Sequence, residues 1–255
     1  QALFIGFAVH LWHHNRTVTK PSVVLLLNLH TSSDLFRLSV SNMSMSIEKQ
    51  LAQFQDIPVS HHTLAALLRS YKRPNDKISE WLAQQKLIPV KRGLYVVSPT
   101  LTGGFISLPL IANALYGPSY VSLEFALSHY GLIPEAVHQI TSVTTRRAKT
   151  YNTVLGRFSF QTIPIEVYPL GVSSVKNDMG HFYLMAGPEK ALCDMLMLTS
   201  NLNVYSVGAL VALLELDWRI DVDEIKQLDR TKIHDIAHAG SKARVLGYLL
   251  QLIGN

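Results

Sequence analysis

Lys72, Arg73, Lys91 and Arg92 are the side chains whose type and placement suit a defined chemistry. Lysine and arginine hold phosphate oxygens by charge, and arginine adds a planar fork of N–H donors. The four fall in two tight pairs. Lys72-Arg73 lies in a basic turn, Arg69-Ser70-Tyr71-Lys72-Arg73-Pro74, between two amphipathic stretches. Lys91-Arg92 lies at the bend of the ribbon Leu87-Ile88-Pro89-Val90-Lys91-Arg92-Gly93-Leu94-Tyr95-Val96-Val97-Ser98. Between the pairs, Lys77 and Gln84 share the polar side of the second stretch with Glu80. Lysine bonds guanine acceptors, glutamine matches an adenine edge, and a glutamate can accept from cytosine. Cations that grip a phosphate backbone, with polar side chains between them to read bases, are the parts of a DNA-binding surface. The same charges could instead form an ordinary solvated face.

Such a surface needs elements to hold it. Ile47, Leu51 and Phe54 recur at helical spacing. Pro58 closes the following linker, and Ser60 or Thr63 can cap a helix that puts Leu64, Leu67 and Leu68 on one face. Pro74 disfavours helix at Arg73. Asn75 or Asp76 can cap a second helix running to Lys86, with Ile78, Trp81 and Leu82 toward a core. Gly93 punctuates a two-stranded ribbon whose second arm, Leu94 to Val97, reads as buried. Helix, turn, helix and ribbon in that order make a winged helix-turn-helix, expected over residues 46–98, which sets one helix in a DNA groove with the hairpin beside it.

Pro99 to Gly104 reads as the boundary to a second segment, 105–255. Helical patterns at Leu108 to Leu115 and Val121 to Tyr130 precede strand-like runs at Ile140 to Thr145, Asn152 to Thr162, Ile165 to Tyr168 and Phe182 to Met185. Pro188 suits the first turn of a helix ending near Leu198, and helices follow at Val207 to Leu216, Val222 to Leu228, Thr231 to His238 and Ala243 to Leu252. The expected fold class is therefore α+β: an N-terminal winged helix-turn-helix followed by a mixed α/β domain with a helical C-terminus. Residues 1–42 show no sustained period and are expected to be an atypical or disordered extension, or to lie outside the natural start, with a docked hairpin as the other reading. Met43-Ser44-Met45-Ser46 immediately precedes the first helix.

Composition narrows the partners. The 255 residues are 48% hydrophobic and 16% charged, with a formal net charge of +5. Residues 45–98 hold eight Lys or Arg against four Asp or Glu, whereas 99–200 hold six of each, so the excess sits on the candidate winged helix. One cysteine, Cys193, allows no internal disulfide, which favours a reducing compartment and a cytoplasmic protein. The apolar stretches Ala2 to Trp12 and Val23 to Leu29 are too short to cross a bilayer.

Several of these segments together resemble the AbiEi-type antitoxin and transcriptional regulator family. They are Lys91 to Val96; Tyr120-Val121-Ser122-Leu123-Glu124-Phe125-Ala126-Leu127; His129-Tyr130-Gly131-Leu132-Ile133-Pro134-Glu135; Ser142-Val143-Thr144-Thr145 with Arg146-Arg147; and Pro188-Glu189-Lys190-Ala191-Leu192-Cys193-Asp194. The resemblance spans roughly residues 46 to 200, with a looser helical match beyond. It implies a winged helix on double-stranded operator DNA and a C-terminal domain contributing to antitoxicity, in a type IV toxin–antitoxin system whose toxin is nucleotidyltransferase-like. Family members need not bind that toxin stably. A stand-alone winged-helix regulator with a ligand-sensing or dimerising C-terminal domain is the first alternative.

Arg146 and Arg147 with Lys149 make a second basic cluster, which could meet phosphate, an acidic protein surface or only solvent. The second alternative, a metal-dependent hydrolase using His234 and His238, rests on His234-Asp235-Ile236-Ala237-His238. It copies the spacing of the zinc-protease helix, but has Asp where Glu would act as base and no third ligand after it. The adjacent pairs His13-His14 and His61-His62 point apart on any regular element. No nucleophile elbow, phosphate loop or dinucleotide fingerprint is present. The sequence calls for no metal, no cofactor and no catalytic residues.

Overall fold

A computed structural model describes residues 45–254. The expectations for residues 1–42 lie outside the described residues.

The N-terminal segment begins with α1 (Ile47–Ala52), whose N-cap Ser46 accepts from the Lys49 amide. A two-residue strand follows, β1 (Val59–Ser60), and then α2 (His61–Leu67), capped by Ser60 through the Thr63 amide. The basic turn leads to α3 (Pro74–Ala83). Here Pro74 holds the first helical position and Arg73 stands at the N-cap without a side-chain bond, so the expected caps Asn75 and Asp76 lie inside the first turn. β2 (Leu87–Lys91) and β3 (Leu94–Val97) form the hairpin, with β1 adding on the other side of β3 in the order β1-β3-β2. Gly93 makes the bend at φ +79°, a conformation that costs most residues a steric penalty. The β1 pairing was not expected from the sequence, because two residues leave no periodicity.

The expected boundary is a short helix, α4 (Pro99–Thr102), capped by Ser98 and ended by left-handed Gly103. Beyond it come α5 (Leu108–Leu115), β4 (Ser119–Val121), α6 (Leu123–His129), β5 (Ile140–Thr144), β6 (Lys149–Thr153), β7 (Gly156–Thr162), β8 (Val172–Lys176) and β9 (Phe182–Ala186). The six strands form one mixed sheet in the order β6-β7-β5-β4-β9-β8, parallel at β5–β7 and β4–β9 and antiparallel elsewhere. Then follow α7 (Pro188–Leu198), α8 (Val207–Ala212) continued as a π-helical turn (Leu213–Asp217), α9 (Val222–Ile225), α10 (Arg230–Ala239) and α11 (Ala243–Gly254). The fold is mixed α+β with a helical C-terminus, as expected.

Local corrections have local causes. Val121 ends a strand rather than starting a helix, because Ser119 to Val121 pair with Ser142 to Thr144. The single strand expected over Asn152 to Thr162 is two, folded back at Val154-Leu155 so that Thr153 faces Gly156. Ile165 to Tyr168 is a turn, with the Val167 and Tyr168 amides both donating to the Pro164 carbonyl. Val172 to Lys176 is a strand that the sequence hid, since only its two valines are apolar.

Two apolar clusters fill the unit. A small one gathers Leu51, Val59, Leu64, Leu68, Ile78, Trp81, Leu87 and Val97 among α1, α2, α3 and the three-stranded sheet. A large one runs through the sheet and its helices, and it includes Val90, Leu94 and Val96 from the hairpin. A bulge between Pro89 and Lys91 lets Leu87 enter the small cluster and Val90 the large one. Alternation in β3 sends Leu94 and Val96 one way and Val97 the other. The wing is thus gripped on both sides rather than hanging free.

The large core contains charge. Lys190 and Asp194, one turn apart on α7, have no exposed surface and lie 2.8 Å apart. Lys190 also donates to the Val167 carbonyl at 3.0 Å, while Asp194 Oδ2 accepts from Tyr120 at 2.9 Å and Ser122 at 2.8 Å. Burial raises the Asp194 carboxyl above its ordinary range, opposed by the Lys190 charge and the hydroxyl donors. The thiol of Cys193 between them is pushed up by the same burial, which suits a packed apolar role and not a reactive one. Removing one partner strands the other charge in a dry core. Asp194→Ala should therefore lower unfolding free energy by about 3 kcal/mol in urea titration; a loss under about 1 kcal/mol would show that the site readily admits water.

Candidate nucleic-acid interface

The outer side of α3 carries Asn75, Asp76, Ser79, Glu80, Ala83 and Gln84, all exposed, while Ile78 and Trp81 close the inner side. His61 Nε2 and Asn75 Oδ1 lie 3.1 Å apart, tying the start of α2 to the first turn of α3. Lys72 and Arg73 stand exposed just ahead of α3, and Arg92 stands exposed at the hairpin bend. Arg73 faces Asp76 at 3.6 Å. Lys72 and Arg92 form no ion pair among the described residues.

The base-reading pair is occupied. Lys77 Nζ donates to Glu80 Oε1 at 2.8 Å, and Gln84 Nε2 donates to the same oxygen at 3.0 Å. The Lys77 ammonium also lies 5.9 Å from the centre of the Trp81 ring, leaving its side chain 18% exposed. The Glu80 hydrogen bond holds the Lys77 ammonium above its ordinary range, and the Lys77 bond holds the Glu80 carboxyl below its own. Sequence spacing put the three side chains on one face, as found, but could not show that Glu80 engages the other two.

Lys91 departs further from expectation. It lies next to Arg92 in sequence but turns toward the sheet, where its ammonium donates to the carbonyl of Leu115 at the end of α5. Its Nζ is 5.9 Å from the Tyr151 ring centre. Burial, then the nearby Lys149 and Arg146 charges, hold Lys91 below the ordinary lysine range. Lys91 therefore tethers the wing while remaining partly open to solvent, and Arg92 beside it is exposed with no ion pair among the described residues. Arg146 and Lys149 of the second basic cluster meet Lys91 at this seam, whereas Arg147 contributes its carbonyl, which accepts from Tyr116 at 3.2 Å.

A second tie joins the winged segment to the sheet. Asp56, 2% exposed, places Oδ1 2.5 Å from His181 Nδ1 and accepts at Oδ2 from the Asn177 amide group. Asn177 Oδ1 in turn accepts from the amides of Met179 and His181, shaping the β8–β9 turn. Nothing in the periodicity of the sequence marks Asp56 or His181, which lie 125 positions apart.

His234 and His238 are exposed on α10, with Asp235 3.6 Å from His234, and no group of three or more metal-ligating side chains occurs among the described residues. No helix among them is long and apolar enough to cross a membrane.

No family model and no curated protein matches the chain. Among solved structures it resembles that of the RV2827C protein from Mycobacterium tuberculosis, with TM-score 0.52 and 14% identity over 82% of this chain and 76% of that one. At that identity the likeness concerns the fold.

Asp56 holds the turn that holds two amides. Asp56→Ala should cost about 2 kcal/mol of stability, from the loss of two hydrogen bonds to a buried carboxylate. Amide exchange at Met179 and His181 should accelerate above that of their neighbours in β9. Unchanged protection there would show that the turn stands without its partner.

Proposed function

We propose that this chain is a winged-helix transcriptional regulator that binds double-stranded operator DNA. Following the AbiEi resemblance, it serves as the cytoplasmic antitoxin of a type IV system, repressing its own operon through inverted-repeat DNA and opposing a nucleotidyltransferase-like toxin. One observation carries the DNA reading. The outer side of α3 is exposed, Lys72 is exposed just ahead of it and Arg92 is exposed at the hairpin bend, and neither cation pairs with a carboxylate among the described residues. Unpaired, exposed cations close to an exposed helix suit phosphate contacts beside a major groove.

The proposed roles are these. Lys72, Arg73 and Arg92 take phosphates, and α3 enters the groove. Lys77 and Gln84 reach base edges on release from Glu80. Lys91 supports the wing from behind through the Leu115 carbonyl.

The test is a mobility shift with the DNA upstream of the gene at several salt concentrations. Each phosphate contact contributes about 0.9 to the slope of log affinity against log salt. Lys72→Ala with Arg92→Ala should reduce that slope by about 2 and weaken binding to all sequences alike. A slope that does not change removes the proposed interface. A toxin gene beside this one separates the antitoxin from a stand-alone regulator.

A further inference from the structure

Where the wing meets the sheet, three cations gather on one pair of aromatic rings. Tyr116, which ends α5, and Tyr151 of β6 have ring centres 5.9 Å apart, and both pack edge-on against Phe160 at 5.3 and 6.0 Å. Lys149 Nζ lies 4.6 Å from the Tyr151 centre and 5.7 Å from that of Tyr116. Arg146 Cζ lies 5.7 Å from the Tyr116 centre, and Lys91 Nζ 5.9 Å from that of Tyr151. No carboxylate pairs with Lys91, Arg146 or Lys149 among the described residues.

The backbone beneath these charges is fixed. The Arg146 amide donates to Thr144 Oγ1 at 3.1 Å, and the Arg146 carbonyl accepts from Thr162 at 2.7 Å. The Tyr116 hydroxyl holds the Arg147 carbonyl, and Lys91 is tethered to the Leu115 carbonyl. A lysine ammonium has three donors, so that tether leaves two free. Arg146 and Lys149 are exposed, so the cluster is reached from solvent. Like charges held together on a rigid frame repel, and burial, then the Lys149 and Arg146 charges, hold Lys91 below the ordinary lysine range.

We propose that Lys91, Arg146 and Lys149 form an oxyanion site that takes phosphate at the seam between the wing and the sheet. Three unpaired cations call for more than one negative charge. Inorganic phosphate brings that charge in one group, and a nucleic-acid backbone brings it in successive diesters, whereas a single carboxylate leaves two cations unanswered. The arginine supplies a planar fork for two oxygens and the lysines supply point charges. Occupancy would also clamp the wing, since Lys91 belongs to the hairpin and the other two cations to the sheet. The site stands on this geometry whether or not α3 enters a DNA groove.

The experiment compares the full chain with Arg146→Gln/Lys149→Gln, which removes two exposed charges and leaves the core intact. Inorganic phosphate is titrated by calorimetry against sodium chloride of equal ionic strength. Phosphate should bind the natural chain and bind the variant at least about tenfold more weakly, the factor one charge-assisted hydrogen bond supplies. Equal response of the two proteins overturns the site, as does a natural chain that ignores phosphate. A second arm measures the salt slope on random duplex DNA. A slope lowered by about 2 in the variant identifies the source as the DNA backbone; a retained slope with phosphate binding lost identifies free phosphate. Failure of the operator experiment leaves the calorimetric arm unaffected, so the two readings fail separately. Melting without phosphate controls for folding: the variant, relieved of repulsion, should melt no lower than the natural chain.

Discussion

A lysine ammonium and an aspartate carboxylate, both sealed from solvent, anchor the larger core. Taking each ion out of water costs several kcal/mol, and close pairing offsets that cost only where further hydrogen bonds complete the geometry. Lys190 and Asp194 have those bonds: the Val167 carbonyl for one, the Tyr120 and Ser122 hydroxyls for the other. The partners come from β4, from the start of α6 and from the turn after β7. One rotation and one depth of α7 satisfy all of them together. The fit is close enough that Gly171 has no room for a side chain, because a Cβ there would sit 2.9 Å from Lys190 Cβ. An apolar α7 could slide against the sheet, but this one cannot without stranding charge.

From that node the constraint passes outward. α5 buries Ile111, Ala112 and Leu115 against the sheet, so the Leu115 carbonyl is a fixed point. Lys91 is tied to it, and Val90, Leu94 and Val96 of the hairpin enter the same core. Asp56 makes an independent attachment to the β8–β9 turn. A wing held at its tip, on its inner face and through the linker before β1 moves with the sheet. Any ligand that meets α3 and Arg92 therefore meets a preorganised surface, and little ordering cost falls on binding.

Much of this could be read from the residues. The helices and hairpin of residues 47–97 were legible because their signals are local: a capping serine, a proline after a basic turn, leucines at helical spacing, a glycine at a bend. Helix α7 was legible from Pro188 and its apolar face. What escaped was long-range. The partners of Lys91 lie in α5 and β6, so it read as a free wing cation. Asp56 and His181 carry no pattern at all. Strand β8 escaped because an edge strand needs only one apolar face, and its serines and lysine look like loop. Of the candidate interface, residue types and the shared face of α3 were legible, whereas the engagement of Lys77 and Gln84 by Glu80 was not.

That engagement bears on how the proposed interface would discriminate. Asp76 and Glu80 leave the outer side of α3 without net positive charge, so attraction to nucleic acid would come from Lys72 and Arg92. Glu80 itself faces toward where bases and phosphates would lie, and an unanswered carboxylate there is repulsive. Its bonds to Lys77 and Gln84 are exposed and cheap to exchange. At a matching sequence, Lys77 and Gln84 would give up Glu80 for base edges while Glu80 finds a donor such as the cytosine amino group. At a mismatched one, the carboxylate keeps its partners and nothing on α3 reads the groove. Specificity built on a repulsive group that only the right partner neutralises demands less raw affinity, which fits a surface with few free cations.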